Sequence, residues 1–290
     1  MHGRESHTGD GIEMGTASAT VYVKLRAVAI NGLYVEDRAG SAAVPVVLVH
    51  GAPDRSKNFA PVVELLPDLP LVIYDRRGYG KSIDALPPAK DFADHAQDLI
   101  AILGGRRAVV VAQSVGCNVA MAAAAKAPSL FAALGMWEPP TAWCDWWPVP
   151  DLRESVCSLV ATTDTELLAE VFNRNILGDG RWESLNVRTK AMLRREGAAF
   201  HADMASELTA LFDFADITCP VIIGAGTATG SGHLEGARRL ARILNAEVLE
   251  VENADHFAPL TSPASWAELV RKAVALAGTD PSAHSTVLTT

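Results

Sequence analysis

The chain has 290 residues, a length that favours one domain with an insertion over two ordinary domains. Its composition, 49% hydrophobic and 20% charged, is typical of a globular protein with a large core. The formal net charge of −9 argues against nucleic-acid binding, because phosphate contacts need clusters of basic side chains.

The sequence also bears on targeting and on metal chemistry. No apolar run reaches the roughly 18 to 20 residues that span a bilayer, and residues 1–19 lack the apolar segment of a signal peptide. We therefore expect a cytoplasmic protein without a membrane partner. The four cysteines form no C-x-x-C pair, which indicates reduced thiols and no metal site. Residues 1–19 and 279–290, rich in Gly, Ser, Thr and His, are predicted to be flexible.

Short Val- and Ile-rich runs alternate along the chain with Ala- and Leu-rich segments of helical periodicity. Runs 21–30 and 33–37 predict a hairpin that turns at Asn31-Gly32. Further strands are predicted at 44–49, 71–74, 108–112, 133–137, 221–224 and 247–251, and helices at 59–66, 92–103, 115–127, 234–244 and 263–277. The central runs are almost continuously apolar, as in parallel strands covered on both faces. The alternation predicts an α/β fold with a mostly parallel central sheet flanked by helices.

The alternation stops between residues 139 and 212. This stretch has helical periodicity and no convincing strand. One predicted helix ends at Gly178. Its apolar face consists of Leu167, Leu168, Val171, Phe172 and Ile176. We predict a helical cap at 141–212 over a core formed by 20–140 and 213–278.

The segment Ala112-Gln113-Ser114-Val115-Gly116 lies between a predicted strand and a predicted helix. It matches the nucleophile elbow G-x-S-x-G with Ala112 in place of the first glycine. Small residues on both sides of Ser114 permit the sharp turn. Because Val115 begins the helix, its N–H can point at a developing oxyanion. The alternative is an ordinary turn or helix-cap serine.

Three further motifs follow predicted strands in chain order. They are His50-Gly51-Ala52-Pro53, Tyr74-Asp75-Arg76-Arg77-Gly78-Tyr79-Gly80-Lys81-Ser82, and Ala254-Asp255-His256-Phe257-Ala258-Pro259-Leu260. Together with the elbow, this order resembles the α/β-hydrolase fold superfamily of the serine hydrolase type, over roughly residues 21–276.

The resemblance implies roles for the loops after the first two of these strands. The backbone N–H of Ala52 would be the second oxyanion donor. His50 would shape its loop, and Asp75 with Arg77 would brace neighbouring loops. Asp54 and Arg55 would either border the pocket or form a solvated turn.

His256 is the predicted general base among the eight histidines. It alone follows the last predicted strand in a loop, where its ring can reach back to Ser114. The resemblance places the catalytic histidine at the same point. His233, in a loop rich in Gly, Ser and Thr, is a weaker rival.

The acid departs from the common pattern of the family. Its usual place is the loop after strand 221–224, yet residues 225–232 contain no carboxylate. Some family members carry the acid after the preceding strand, where this chain has Glu138. Glu138 is therefore the predicted orienting acid. Asp255 is one alternative, and a serine–histidine dyad assisted by water or another cap residue is a second.

Four tryptophans lie close to Glu138 in the sequence. Trp137, Trp143, Trp146 and Trp147 either wall an apolar substrate pocket or pin the cap onto the sheet.

The sequence as a whole predicts a serine hydrolase with a Ser-His-Glu triad and no metal or organic cofactor. Its substrate would be an ester, thioester or lactone of a largely apolar small molecule, cleaved through an acyl-enzyme. A carbon–carbon hydrolase, a non-hydrolytic lyase or cyclase, and a ligand-binding receptor on a hydrolase scaffold are the alternatives. The sequence does not indicate an oligomeric state.

Overall fold

A computed structural model describes residues 26–40, 42–148 and 150–278. The strands are β1 (Arg26–Ile30), β2 (Leu33–Arg38), β3 (Val46–Val49), β4 (Leu71–Tyr74), β5 (Ala108–Gln113), β6 (Phe131–Trp137), β7 (Val221–Gly226) and β8 (Glu247–Val251). Over the described residues they form an eight-stranded sheet in the order β1-β2-β4-β3-β5-β6-β7-β8.

The sheet is antiparallel at one edge and parallel elsewhere. Strands β1 and β2 form the predicted hairpin, with positive φ at Asn31 (50°) and Gly32 (80°), as a tight hairpin turn requires. Strand β2 also pairs antiparallel with β4, and the remaining neighbours pair in parallel. The prediction of a mostly parallel α/β sheet is confirmed.

The helices are α1 (Ala60–Glu64), α2 (Phe92–Leu103), α3 (Val115–Lys126), α4 (Pro150–Val160), α5 (Thr165–Leu177), α6 (Asp179–Ser184), α7 (Val187–Arg195), α8 (Gly197–Ser206), α9 (Ser231–Leu244), α10 (Ala258–Thr261) and α11 (Pro263–Gly278). Helix α2 has clear boundary signals. The Asp91 carboxylate accepts hydrogen bonds from the N–H groups of Ala93 and Asp94, and left-handed Gly104 ends the helix.

The helices cover both faces of the sheet. Side chains alternate along a strand, so Val47 and Val49 pack towards α2, α3 and α9, whereas Val46 and Leu48 pack towards α1 and α11. Each central strand is therefore buried on both faces, which explains its continuous apolar sequence.

Helices α4 to α8 lie between β6 and β7. Leu168 and Phe172 of α5 pack with Phe200 of α8, but Leu167 and Val171 are 53% and 45% exposed. The apolar face predicted for α5 was therefore too broad, although the helix ends before Gly178 as expected. The division into core and cap domains stays a prediction.

Two other predictions concern the ends of the chain and membranes. Residues 1–19 and 279–290 lie outside the described residues. Within the part of the chain that the structure describes, every helix is too short or too polar to cross a bilayer.

Candidate active site

Ser114 occupies the sharp turn between β5 and α3. Its backbone angles, φ 53° and ψ −133°, lie in a region that L-residues rarely adopt, at a cost of about 1–3 kcal/mol. The neighbouring structure holds the turn: Ser114 N–H donates to Trp137 O at 2.9 Å, and Cys117 N–H donates to Ser114 O at 2.8 Å. The side chain faces a cavity of about 280 Å³.

Small residues let the loop after β3 approach this turn. A Cβ atom added to Gly116 would lie 2.5 Å from His50 O, and one added to Gly51 would lie 3.1 Å from Ser114 Cβ. Gly116 therefore has no room for a side chain, and at Gly51 a side chain would require Ser114 to shift. The backbone that follows β3 is therefore held against the serine.

Glu138 and His256 form a close pair next to the serine turn. Glu138 directly follows β6 with φ 48°, and its side chain is fully buried. His256 Nδ1 lies 2.7 Å from Glu138 Oε2. An ionised carboxylate only accepts hydrogen bonds, so Nδ1 carries the proton and Nε2 of the neutral ring is left as an acceptor.

The charge of Glu138 is stabilised by its surroundings. Burial raises the pKa of this carboxyl, but hydrogen bonds and the charge of His256, with donors on Thr229 and Gly226, outweigh burial and lower the pKa. Oε1 accepts from Gly226 N–H at 2.9 Å and from Thr229 Oγ1 at 2.7 Å. Glu138 is thus an ionised group able to stabilise an imidazolium.

Asp255, the alternative acid, serves its own loop. Its Oδ1 accepts from Phe257 N–H at 2.8 Å and from Thr261 Oγ1 at 2.7 Å. The His256 loop is also fastened to the elbow, since Gln113 Nε2 donates to His256 O at 2.8 Å. Gln113 and Thr229 were not predicted as site residues, although Gln113 lies within the elbow segment and Thr229 within residues 225–232.

Ser114 and His256 line the same cavity. Within the described part of the chain, Ser114 Oγ makes no hydrogen bond to another group. Hydrogen bonds between a nucleophile and its base are often long in free enzymes and tighten when substrate binds. Ser114 and His256 thus lie at one cavity, with Glu138 bound to the imidazole, and the catalytic roles of the three residues stay a prediction.

His233 is the other imidazole in this region. Its ring centroid lies 5.5 Å from that of His256 and 6.2 Å from that of Trp147. Burial, together with the charge of His256, lowers the pKa of His233, which favours its neutral form. Unlike His256, it has no carboxylate hydrogen-bonded to its ring within the described residues.

The two predicted oxyanion donors are both available. In the described ranges, neither Ala52 N–H nor Val115 N–H is hydrogen-bonded to another backbone or side-chain group. Val115 is the first residue of α3, where backbone N–H groups have no acceptor inside the helix. Ala52 lies on the opposite side of the elbow, in the loop after β3.

His50 has the bracing position that the resemblance implied. Its Nε2 accepts from Arg76 N–H at 2.8 Å, which leaves Nδ1 to donate to Gly51 O at 2.7 Å. Burial, with the charge of Arg76, lowers the pKa of His50 to about 3. The ring is therefore a neutral connector between two loops.

Asp75 and Arg77 also fasten loops to each other. Asp75 Oδ1 accepts from Ser56 N–H and Oγ, both at 2.7 Å, and its Oδ2 accepts from Lys81 N–H at 2.7 Å. Arg77 pairs with Asp98 of α2 at 2.5 Å. Neither side chain lines the cavity beside Ser114.

The cavity lies between the β3 and β8 loops on one side and helices α5 to α7 on the other. Its apolar lining includes Ile176, Leu177, Leu185, Met192, Leu193, Phe257, Pro259 and Leu260. Polar side chains lie among them, with Asp54, Arg55 and Asn58 on the sheet side and Asn173, Arg181 and Thr189 on the helical side. Arg55 is paired with buried Glu196 at 2.8 Å.

The four tryptophans do not line this cavity, and their assignment to a substrate pocket stays a prediction. Trp137 is fully buried in the core between the sheet and α11, beneath Gly224. Trp147 packs on Gly236 of α9. Trp143 and Trp146 pack against the core on the α3 and α9 face. These contacts match the alternative, in which the aromatic residues anchor the segment after β6.

The described residues contain no cluster of three or more His, Cys, Asp or Glu side chains that could hold a metal ion.

A mostly parallel sheet with a serine at its strand–helix turn and a histidine–carboxylate pair beside it defines an α/β hydrolase. The sequence agrees. A model of the Alpha/beta hydrolase family matches residues 46–269, and the chain belongs to this family.

Individual relatives are similar over most of their length. The protein named "Putative carbamate hydrolase RutD" from Caulobacter vibrioides is 29% identical over 259 residues, which cover 82% of this chain and 94% of that protein. A thermophilic esterase from Thermogutta terrifontis has a TM-score of 0.65 at 18% identity, covering 88% of this chain and 100% of that chain. A haloalkane dehalogenase from Bradyrhizobium elkani has a TM-score of 0.64 at 22% identity, covering 89% and 100%. The two solved structures show a shared fold, which does not define a reaction.

Proposed function

We propose that this protein is a serine hydrolase that cleaves an ester, thioester or lactone through an acyl-enzyme. The observation that carries the proposal is the hydrogen bond of 2.7 Å between His256 Nδ1 and the buried carboxylate of Glu138. His256 lines the same cavity as Ser114. The hydrogen bond orients the imidazole with Nε2 free, which is what a general base for serine needs.

In the proposed first step, Ser114 Oγ attacks the substrate carbonyl while His256 Nε2 takes its proton. Ionised Glu138 stabilises the imidazolium that forms. The negative oxygen of the tetrahedral intermediate accepts hydrogen bonds from the N–H groups of Ala52 and Val115. Collapse of the intermediate breaks the bond to the leaving group, which receives the proton from His256.

In the second step, water replaces the leaving group. His256 removes a proton from the water, which attacks the acyl-enzyme carbonyl, and the same two N–H groups stabilise the second intermediate. The proton then passes to Ser114 Oγ as the acid departs. The triad is restored without a cofactor.

The cavity supports a small, largely apolar acyl compound. Its volume of about 280 Å³ is at the lower end of small-molecule sites, and α5 and α7 contribute the apolar side chains of Ile176, Leu177, Met192 and Leu193. We expect short acyl or alcohol groups to be turned over faster than long chains. A panel of esters of increasing chain length measures this directly, and best turnover on long chains would contradict it.

A carbamate is the second candidate substrate, because of the similarity to the RutD protein. Its carbonyl has the same geometry, but its nitrogen brings an N–H donor. Asp54 lines the cavity, and within the described residues both hydrogen bonds to its carboxylate end on Oδ1, from Arg55 N–H and Asn58 Nδ2. Oδ2 is thus left as an acceptor for such a donor.

The proposal is tested with a fluorophosphonate probe, which reacts with activated serines. We expect stoichiometric labelling of the wild type, no labelling of Ser114→Ala, and unchanged labelling of Ser184→Ala, a control in helix α6. A matched panel of ester, thioester, lactone and carbamate then identifies the carbonyl class. A folded wild type that is not labelled would favour the receptor or non-hydrolytic alternative.

A further inference from the structure

We propose that Asp203, a buried residue of helix α8, is a positioning residue for the oxyanion loop, which comprises residues 50–54. It acts through Arg76, whose guanidinium lies between the Asp203 carboxylate and the backbone of that loop. The inference rests on the proposed function, because it assigns the positioned group, Ala52 N–H, to the oxyanion.

The Arg76 guanidinium makes contacts in two directions. On one side, Nε donates to His50 O at 3.1 Å and Nη2 donates to Gly51 O at 2.8 Å. On the other side, Nη1 and Nη2 donate to the two carboxylate oxygens of Asp203 at 3.2 and 2.8 Å. Both charged side chains are fully buried.

The contact with Gly51 O determines the direction of the oxyanion donor. Gly51 C=O and Ala52 N–H belong to the same peptide plane, and in a trans peptide they point in opposite directions. Holding the carbonyl towards Arg76 therefore turns the N–H away from it. Gly51 itself adjoins the elbow, where an added Cβ would lie 3.1 Å from Ser114 Cβ. Arg76 shares Gly51 O with His50 Nδ1, which donates to it at 2.7 Å, and the two donors together fix the orientation of this peptide.

Asp203 in turn fixes the guanidinium. Its Oδ2 accepts from Tyr79 Oη at 2.6 Å, and its Oδ1 lies 3.3 Å from His95 Nε2. Burial raises the pKa of Asp203, but the charge of Arg76 and the hydrogen bond from His95 outweigh it and leave the pKa below its ordinary value. A bidentate carboxylate holds an arginine plane in one orientation, which a single contact does not. Asp203 of α8 therefore fixes the orientation of the Arg76 guanidinium, which in turn donates to Gly51 O.

The chain offers a matched control in the neighbouring ion pair. Arg77, next to Arg76 in the loop after β4, forms a nearly buried bidentate pair with Asp98 of α2, but it donates to Pro87 O and not to the oxyanion loop. Asp98→Asn thus removes the same kind of charge at a similar depth. A purely structural role for Asp203 predicts that the two variants behave alike.

The kinetic test uses an oxoester and the thionoester of the same acid and alcohol. The thionoester develops its negative charge on sulfur, a weak hydrogen-bond acceptor, so it gains less from the oxyanion donors. We expect Asp203→Asn to lower kcat for the oxoester by about tenfold to a hundredfold, with KM nearly unchanged and a smaller loss for the thionoester. The rate ratio of oxoester to thionoester should fall in Asp203→Asn and stay constant in Asp98→Asn.

Asp203→Asn leaves the buried charge of Arg76 unpaired and can prevent folding. A milder variant is therefore tested beside it. Tyr79→Phe removes one hydrogen bond to Asp203 and leaves the ion pair, and it should lower the same ratio a few-fold. Hydrogen–deuterium exchange adds a readout that needs no activity. Amides of residues 50–55 should exchange faster in Tyr79→Phe and Asp203→Asn than in Asp98→Asn.

The outcomes separate the two proposals. If the wild type hydrolyses esters but the variants lower both ester rates equally and exchange in residues 50–55 is unchanged, Asp203 has no positioning role. If the wild type hydrolyses neither ester and is not labelled by the fluorophosphonate, the proposed function is wrong and the assignment of an oxyanion to Ala52 is lost with it. A fall in the rate ratio together with faster exchange in the loop supports the inference.

Discussion

Glu138 occupies a position that the neighbouring loop is built to support. Residues 225–232, at the end of β7 and directly after it, contain no carboxylate, although the resemblance to the family places the usual acid there. This segment supplies two donors instead, Gly226 N–H and Thr229 Oγ1, and both reach Glu138 Oε1. The segment that lacks an acid of its own thus binds one oxygen of Glu138, and Oε2 is left for His256.

Replacement of Glu138 by glutamine tests its assignment. Glu138→Gln keeps the shape but removes the charge that stabilises the imidazolium, and its amide favours the wrong tautomer of His256. We expect kcat to fall by about three to four orders of magnitude with a small change in KM, measured by steady-state ester hydrolysis. Asp255→Asn is the control and should retain nearly full activity. A loss of less than tenfold in Glu138→Gln would favour a dyad.

The residues of the site differ in how far the sequence could reveal them. Ser114, Glu138 and His256 each follow a predicted strand, and carboxyl ends of parallel strands meet at one edge of a sheet. Arg76 and Asp203 are 127 residues apart in the chain and belong to no shared motif. Their pairing follows from how α8 packs, so it appears only in the structure.

At the scale of elements, the contact between α3 and the loop after β3 limits what the elbow tolerates. Gly116→Ala would place a Cβ atom 2.5 Å from His50 O, and the loop carries the Ala52 donor. We expect a loss of about 1–3 kcal/mol of stability in urea unfolding, together with a lower kcat. Gly180→Ala, in α6, has no atom within 4 Å of the added Cβ and serves as the control. Equal stability of the two variants would show that the elbow can relax.

The predicted strands agree with the structure better than the predicted helical faces do. A central strand is buried on both faces, so its apolar run defines it without knowledge of its neighbours. Helix α5 instead lies between two environments, with Leu168 packed near α8 and Ile176 at the cavity. Its apolar residues therefore spread around the helix, and the sequence could not distinguish core contacts from cavity lining. The tryptophans after β6 were ambiguous for the same reason.

At the scale of the whole molecule, the packing of α8 buries two carboxyl groups, of which one has hydrogen-bond and ion-pair partners and the other has none within the described residues. Asp203 has Arg76, Tyr79 and His95 as partners. Glu207, one turn further along, is almost fully buried, and within the described residues its carboxylate has no hydrogen bond or ion pair. Burial, with the charge of Asp203, raises the pKa of Glu207 to about 8.

The raised pKa makes folding stability depend on pH. In the unfolded chain Glu207 ionises near its ordinary pKa of 4.5, whereas in the folded protein it stays protonated up to about pH 8. Its contribution is therefore fully present below pH 4.5 and is lost as the pH rises towards 8. Glu207→Gln cannot ionise, so we expect it to match the wild type at about pH 4, below both pKa values, and to exceed it at pH 8.

Each unit of pKa shift corresponds to about 1.4 kcal/mol, so the difference at pH 8 should reach a few kcal/mol. Urea unfolding at a series of pH values measures it. Glu154→Gln, an exposed replacement in α4, removes the same charge and should run parallel to the wild type. If Glu207→Gln also runs parallel, water reaches the carboxylate and the interior beneath α8 is not dry. If the difference in unfolding free energy between the two proteins grows with pH, Glu207 is an unpaired acid that stays neutral at the end of α8, close to the ion pair of Asp203 and Arg76.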